Sequence, residues 1–328
     1  MKNVYFATLP NGYFGSAVNS WNTLNVEKLA VPFLEEGFNI NYISITDISN
    51  INFDNDDILI YTSFFQEEIR SYLKDVLFYV KDKCLIVPPY DILLAHENKG
   101  FQEIVRREKN INTLGSAYLF DVDQLECKFP YVFKTVDGSG SKGVELVNNV
   151  KDIKNIRKNY FNISSPRKIK NIIRLYQLPS ENYKLYQYYY KPFKRFITQD
   201  FIENLTCDYR VLVIGDRFYA MRRDVRDGDF RASGSKKFHY DEVPCEVLDY
   251  AKKVFEKLNS PYISMDLVYK EKHVYLIEYQ GTNFGSSVLR NSQGYYEFNN
   301  NQWVFKKALS KHEETLAYGL FFFVKHLK

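Results

Sequence analysis

Residues 131–147, YVFKTVDGSGSKGVELV, decide how the rest of the chain is read. Tyr131–Val136 carries the β-branched and aromatic side chains of a strand, and Val144–Val147 makes a second one. Between them Gly138, Gly140 and Gly143 satisfy the spacing GxGxxG. A dinucleotide-binding turn needs the third glycine to open a helix, whereas Gly143 runs directly into Val144-Glu145-Leu146-Val147. A protein-kinase loop does lie between strands, but no HRD-type loop or DFG motif follows it. Two readings remain. One is a structural β-turn. The other is a flexible flap over nucleotide phosphates, with Lys134 on the entering strand to neutralise their charge.

Downstream, Asp266 in ISMDLVY and Glu278 in YLIEYQG fall on the two arms of a hairpin turned by Lys270-Glu271-Lys272. Both acids sit in apolar strands, where a carboxylate requires a cation or a hydrogen-bond network. Two carboxylates side by side can hold magnesium against a triphosphate, and Gln280, two residues on, shares the face of Glu278. A pair of solvent-facing acids on an edge hairpin is the alternative.

Upstream, short strands at Val4–Thr8, Ile40–Ile45, Asp57–Thr62 and Cys84–Val87 are separated by helical patterns at 21–36 and Glu67–Val80, a small open α/β unit. After Pro88-Pro89, Ile92–Lys109 reads as one helix. Arg195–Ile202 is a strand, Tyr209–Ile214 and Arg217–Arg222 form a hairpin about Gly215-Asp216, Val243–Leu258 is an amphipathic helix, and Glu313–His326 closes the chain. The reading is an α/β (α+β) chain with boundaries at 1–90, 91–198 and 199–328.

Composition narrows the class. Hydrophobic residues at 45% and charged residues at 26% describe a globular protein, and a net charge of +4 does not call for nucleic acid. Eight basic residues against Asp152 between Lys151 and Arg174 are either a solvated helical face or a landing site for an anionic substrate. Cys84, Cys127, Cys207 and Cys245 are too scattered for a zinc site or a disulfide framework, and no signal peptide or membrane span is apparent. A cytoplasmic location follows as an expectation.

The order of these pieces resembles the ATP-grasp superfamily. PYVFK with GSGSKGV, then QDFI, then CDYRVLVIGDRFYAMRRDVRDGDFRAS, then MDLVY and LIEYQGTNFG are similar to ligases that add glutamate or another amino acid. The resemblance implies an ATP-grasp fold with a small N-terminal α/β domain, a central lid and a C-terminal catalytic domain. It implies ATP and magnesium, or manganese, as cofactors. The implied reaction joins a carboxylate to an amine through an acyl-phosphate. Lys134 and Lys99 are then the lysines that meet ATP, Ser139, Gly140, Ser141 and Gly143 the phosphate loop, and Gln199, Asp200, Phe201 and Ile202 the adenine hinge, with Glu203 on the ribose. Arg223 stands near the γ-phosphate, with Asp208 and Arg210 on a strand beside it, and Arg231 meets the acyl-phosphate or substrate carboxylate. Asp266, Glu278 and Gln280 become metal ligands. Gln280 departs from the usual Asn, making Asn283 a candidate replacement, and Ser233-Gly234-Ser235 is shorter than the usual double glycine.

A kinase, an acid–thiol ligase and a catalytically weak regulatory module stay open beside the ligase. The expected partners are a small carboxylate or amino acid and an amine acceptor, anionic or sugar-linked if the basic stretch and the aromatic run YQYYYKPF (186–193) serve it. The loop Pro10-Asn11-Gly12-Tyr13 is placed to shape that site, and a homodimer is compatible with the sequence.

Overall fold

A computed structural model describes residues 2–15, 22–112, 114–138, 142–232, 234–235, 237–240 and 243–327. Ser139, Gly140, Ser141, Ser233 and the expected helix start at Trp21 lie outside the described residues. The chain divides into two compact units, one formed by residues 1–113 and 204–328 and the other by residues 114–203.

The first unit opens with β1 (Asn3–Thr8), α1 (Val26–Glu35), β2 (Asn39–Ser44), β3 (Ile58–Tyr61), α2 (Glu67–Val80) and β4 (Leu85–Val87). Their strands form a parallel sheet in the order β2-β1-β3-β4. Fully buried strands of a parallel sheet read as continuous apolar runs, which is why Ile58–Tyr61 is buried at all four positions. The α1 helix begins later than its apolar pattern suggests because the Asn25 side chain accepts from Lys28 N and caps it.

The stretch expected as one helix from Ile92 is two, α3 (Tyr90–Ala95) and α4 (Lys99–Glu108). His96 is extended, Glu97 takes φ 50°, and the Asn98 side chain caps α4 by accepting from Phe101 N at 3.1 Å.

The second unit contains β5 (Ala117–Leu119), β6 (Tyr131–Thr135), β7 (Val144–Val147), α5 (Val150–Tyr160), α6 (Ser165–Gln177), α7 (Ser180–Tyr189) and β8 (Phe196–Asp200). Its sheet runs β5-β8-β6-β7, antiparallel throughout. Phe133, Phe161 and Phe196 meet at the centre of a core closed by Ile153 and Ile156 of α5.

The chain then returns to the first unit with β9 (Cys207–Ile214), β10 (Arg217–Asp224), β11 (Phe238–His239), α8 (Cys245–Leu258), β12 (Tyr262–Lys270), β13 (His273–Gln280), α9 (Ser287–Asn291), β14 (Gly294–Asn299), β15 (Gln302–Lys307) and α10 (His312–His326). A sheet of order β13-β12-β9-β10-β14-β15, with β11 on β10, forms its backbone. One face packs on α8, and the other shares a core with α10, α1 and the parallel sheet. Among the described residues no helix is long and apolar enough to cross a membrane.

Candidate functional site

In the first unit, strand pairing gathers charges that lie far apart in sequence. Asp266 of β12 is directly opposite Glu278 of β13 on one side and Arg210 of β9 on the other. Asp208, two residues before Arg210 and therefore on the same face, pairs with Arg223 of β10. Arg210 donates from Nε and Nη2 to the two oxygens of Asp266 at 2.8 and 2.9 Å. Arg223 donates from Nε and Nη2 to those of Asp208 at 2.6 Å each, and its Nη2 also lies 2.9 Å from Asp266 Oδ2.

Burial sets the electrostatics of this chain of ion pairs. For Asp266, burial opposes ionisation, but Arg210 and Arg223 outweigh it and hold the carboxyl well below the usual carboxylate range. For Asp208, burial prevails over Arg223 and raises the pKa. Burial likewise works against the Arg223 cation, and Asp266 and Asp208 overcome it.

The β13 end of the site is held by α4 through a polar face. Lys99, Gln102, Glu103 and Arg106 follow the i, i+3, i+4, i+7 spacing of one helical face, and all four are buried. Lys99 Nζ lies 3.6 Å from Glu278 Oε1. Gln102 donates to Tyr279 O at 2.8 Å and accepts from Tyr279 N at 3.2 Å. Arg106 pairs with Glu103 at 2.6 Å and donates to Ile277 O at 2.8 Å. The register shifts beside Asp266, so Ile277 is the extra residue of a bulge, and Arg106 satisfies its carbonyl. The helix therefore fixes the stretch of β13 that presents Glu278 and Gln280. Gln102→Leu strips two backbone groups of Tyr279 of their partner and is expected to cost about 1–3 kcal/mol, measurable as a lower urea midpoint.

Gln280 Nε2 donates to Glu278 Oε1 at 3.2 Å, and its Oε1 is buried with no hydrogen-bond partner among the described residues. An orphaned amide oxygen beside a carboxylate is a suitable donor set for a hard cation. Asp266 is less available, since both its oxygens are engaged by guanidinium groups. Asn283 donates from Nδ2 to Ser63 O at 3.0 Å. Arg231 sits in the loop after β10, where Asp229 binds its Nε and Nη2 and is itself lowered in pKa by that bond.

In the second unit, Lys134 of β6 is buried and donates to Gln199 Oε1 of β8, while Gln199 Nε2 is buried with no partner among the described residues. Gly138 and Gly143 have φ of 109° and 71°, and a Cβ on Gly143 would fall 2.1 Å from Thr135 Oγ1. Both observations demand glycine at those ends of the loop. Asp200 ends β8, its amide donating to Leu114 O at 3.2 Å, and Phe201, Ile202 and Glu203 continue beyond the strand.

The model of the RimK-like ATP-grasp domain matches residues 118–287, just over half of the chain. The chain belongs to the RimK-like ATP-grasp family. Solved structures agree on the ATP-grasp fold. A D-cycloserine synthetase is 9% identical with a TM-score of 0.56, the match covering 98% of this chain and 99% of that one. An N5-carboxyaminoimidazole synthetase from Staphylococcus aureus is 9% identical, at TM-score 0.53 over 98% of this chain and 77% of that one. A RimK domain ATP-grasp protein from Sphaerobacter thermophilus is 13% identical, at TM-score 0.50 over 86% and 93%. No curated protein matches the chain in sequence.

One polar cluster of this ATP-grasp chain is not foreshadowed by any motif. His96, almost wholly buried, shares a 2.8 Å hydrogen bond between Nδ1 and Ser63 Oγ, and its Nε2 has no partner among the described residues. It adjoins the loop after β3, where Thr62 Oγ1 donates to Thr282 O at 3.2 Å. Burial, then Arg70 and Lys74, push the His96 pKa down to about 3. A base that is neutral when folded and protonates when unfolded makes stability fall as pH drops below the unfolded value near 6.5. Going from pH 7 to 5 should therefore cost about 2 kcal/mol, and His96→Gln should remove that dependence from the urea midpoint.

Proposed function

We propose that this chain is an ATP- and magnesium-dependent ligase joining a carboxylate to an amine, with release of ADP and phosphate. The observation that carries the reading is the row of Arg210 and Arg223 interleaved with Asp208, Asp266 and Glu278 on one sheet face, which Lys99 of α4 joins at Glu278. Three cations held against three carboxylates suit a reaction that brings a carboxylate and a phosphoryl group together, where negative charge must be met by fixed positive groups.

In this reading Lys134, held by Gln199, meets the α- and β-phosphates, and Ser139, Gly140, Ser141 and Gly143 close over the rest. The unpaired Gln199 Nε2 supports adenine recognition by Gln199–Ile202, with Glu203 on the ribose. Glu278, Gln280 and Asp266 supply oxygen ligands for the cation, and Arg223 stabilises the transferring phosphoryl group. Arg231 orients the carboxylate once Asp229 releases it. Bound magnesium would supply charge neutralisation on the phosphate oxygens. The substrate side is supported by a cleft of about 500 Å³ at the carboxyl ends of β1 and β2, lined by Leu9, Pro10, Asn11, Ile45, Glu68, Ile69 and Tyr72.

The test is incubation with ATP, magnesium and pooled carboxylates and amines, with the nucleotide products resolved. ADP and phosphate formed only with a particular substrate pair, and strongly reduced in Glu278→Gln, is the expected result. AMP and pyrophosphate would contradict the acyl-phosphate route. A single hydroxyl substrate that itself gains the phosphate would make the protein a kinase.

A further inference from the structure

The α6–α7 hairpin spends 13 and 10 residues on helix without supplying any described residue to the core of its unit. Its packing is inverted. Arg167 and Arg174 lie over Tyr190 and Tyr186, with guanidinium carbons 5.4 and 4.7 Å from the ring centres, and Tyr186 OH donates to Asn171 Oδ1 at 3.1 Å. The polar face of α6, at positions 167, 171 and 174, is thus turned onto α7.

Ile169, Ile172, Ile173 and Tyr176 follow the i, i+3, i+4, i+7 spacing and make the opposite face, exposed by 59%, 59%, 50% and 84%. Leu185 and Tyr189 of α7 are exposed as well. At 3.6 residues per turn, Lys168 and Lys170 fall roughly 90° to either side of the isoleucine stripe. An apolar stripe bracketed by long basic side chains, with the exposed Leu175 beside it, is the design of a helix lying in a lipid interface.

Charge decides which partner covers it. Residues 151–195 hold twelve Lys and Arg against Asp152 and Glu181, a net +10, so the remainder of a chain of net +4 carries −6. Seating a second copy on this face would bring two such segments together, whereas an anionic surface complements them.

We propose that the α6–α7 hairpin docks the protein on an anionic membrane surface, with Ile169, Ile172, Ile173 and Tyr176 entering the headgroup layer and Lys168 and Lys170 at the phosphates. The docking is peripheral and needs neither ATP nor substrate, so it stands or falls separately from the ligase reading. The experiment is flotation of the full chain with vesicles of phosphatidylcholine alone and of phosphatidylcholine mixed equally with phosphatidylglycerol. Binding to the anionic vesicles alone, weakened by added salt, is the expected result. Lys168→Gln and Lys170→Gln should each weaken it about fivefold. The double variant Ile172→Asp, Ile173→Asp should abolish it with an unchanged thermal midpoint, since both side chains are exposed. Absence of flotation with anionic vesicles, or undiminished flotation of the isoleucine variant, would overturn the proposal. So would a stable dimer in solution that the isoleucine variant dissociates, or capture by polyglutamate from a protein indifferent to vesicles.

Discussion

Arg223→Met is expected to lower the unfolding free energy of the first unit by about 3–5 kcal/mol, the cost of leaving buried charges uncompensated. Arg223 is 3% exposed and donates to both oxygens of Asp208 and to Asp266 Oδ2. Methionine fills much of the same volume, so the loss measures charge rather than a cavity. The two carboxylates are not equally affected. Asp266 keeps the bidentate bonds of Arg210, whereas Asp208 loses the cation that opposes its burial. Adding Asp208→Asn to Arg223→Met should therefore restore part of the loss, and a double-mutant cycle on urea midpoints measures how much. A loss below about 1 kcal/mol would mean that water already screens this network, against its burial.

The folding pattern of the chain was legible where side-chain period alone decides it. The helix Glu67–Val80 and the strand Val144–Val147 have the bounds their patterns predict. The hairpin of Asp266 and Glu278 was legible because its arms adjoin in sequence, and the structure sets the two acids opposite each other. The pairing of β9 with β12, which brings Arg210 to Asp266, joins strands separated by α8 and leaves no mark in a local window.

The α4 helix misleads for a different reason. Its charged face would ordinarily be solvated, yet Lys99, Gln102, Glu103 and Arg106 point into the protein because a bulged strand there has unsatisfied groups to offer. A signal for the β14–β15 hairpin did exist: Asn300 and Asn301, at φ 49° and 61°, form the tight turn that Asn favours.

The glycine loop between β6 and β7 lies partly outside the described residues, so Lys134 and the two outer glycines represent it. Gly138 and Gly143 flank it with the positive φ that glycine adopts without strain, and its closing over phosphates belongs to the proposed function.

Asp266→Asn is expected to cut substrate-dependent ADP formation by about a hundredfold or more, the scale of removing one preorganised charged contact to a transition state. Asp266 has two tasks in the proposed site that compete for the same oxygens. In the structure both oxygens are taken by Arg210 and Arg223. As a ligand for magnesium, Asp266 would exchange part of its hold on the two guanidinium groups for the cation, which would leave them freer to meet a phosphoryl group. Asparagine keeps the shape and one acceptor oxygen but removes the charge that makes the exchange worthwhile. Two readouts separate the tasks. If Asp266 ligates the cation, the magnesium concentration for half-maximal rate rises in Asp266→Asn, and it rises also in Glu278→Gln, which removes the carboxylate beside the orphaned Gln280 Oε1. If Asp266 only anchors the arginines, the rate falls while the magnesium requirement stays that of the parent protein. The coupled exchange predicts the first outcome together with a higher KM for ATP in Arg210→Lys, because a lysine cannot make the bidentate grip that sets the balance between carboxylate and phosphate.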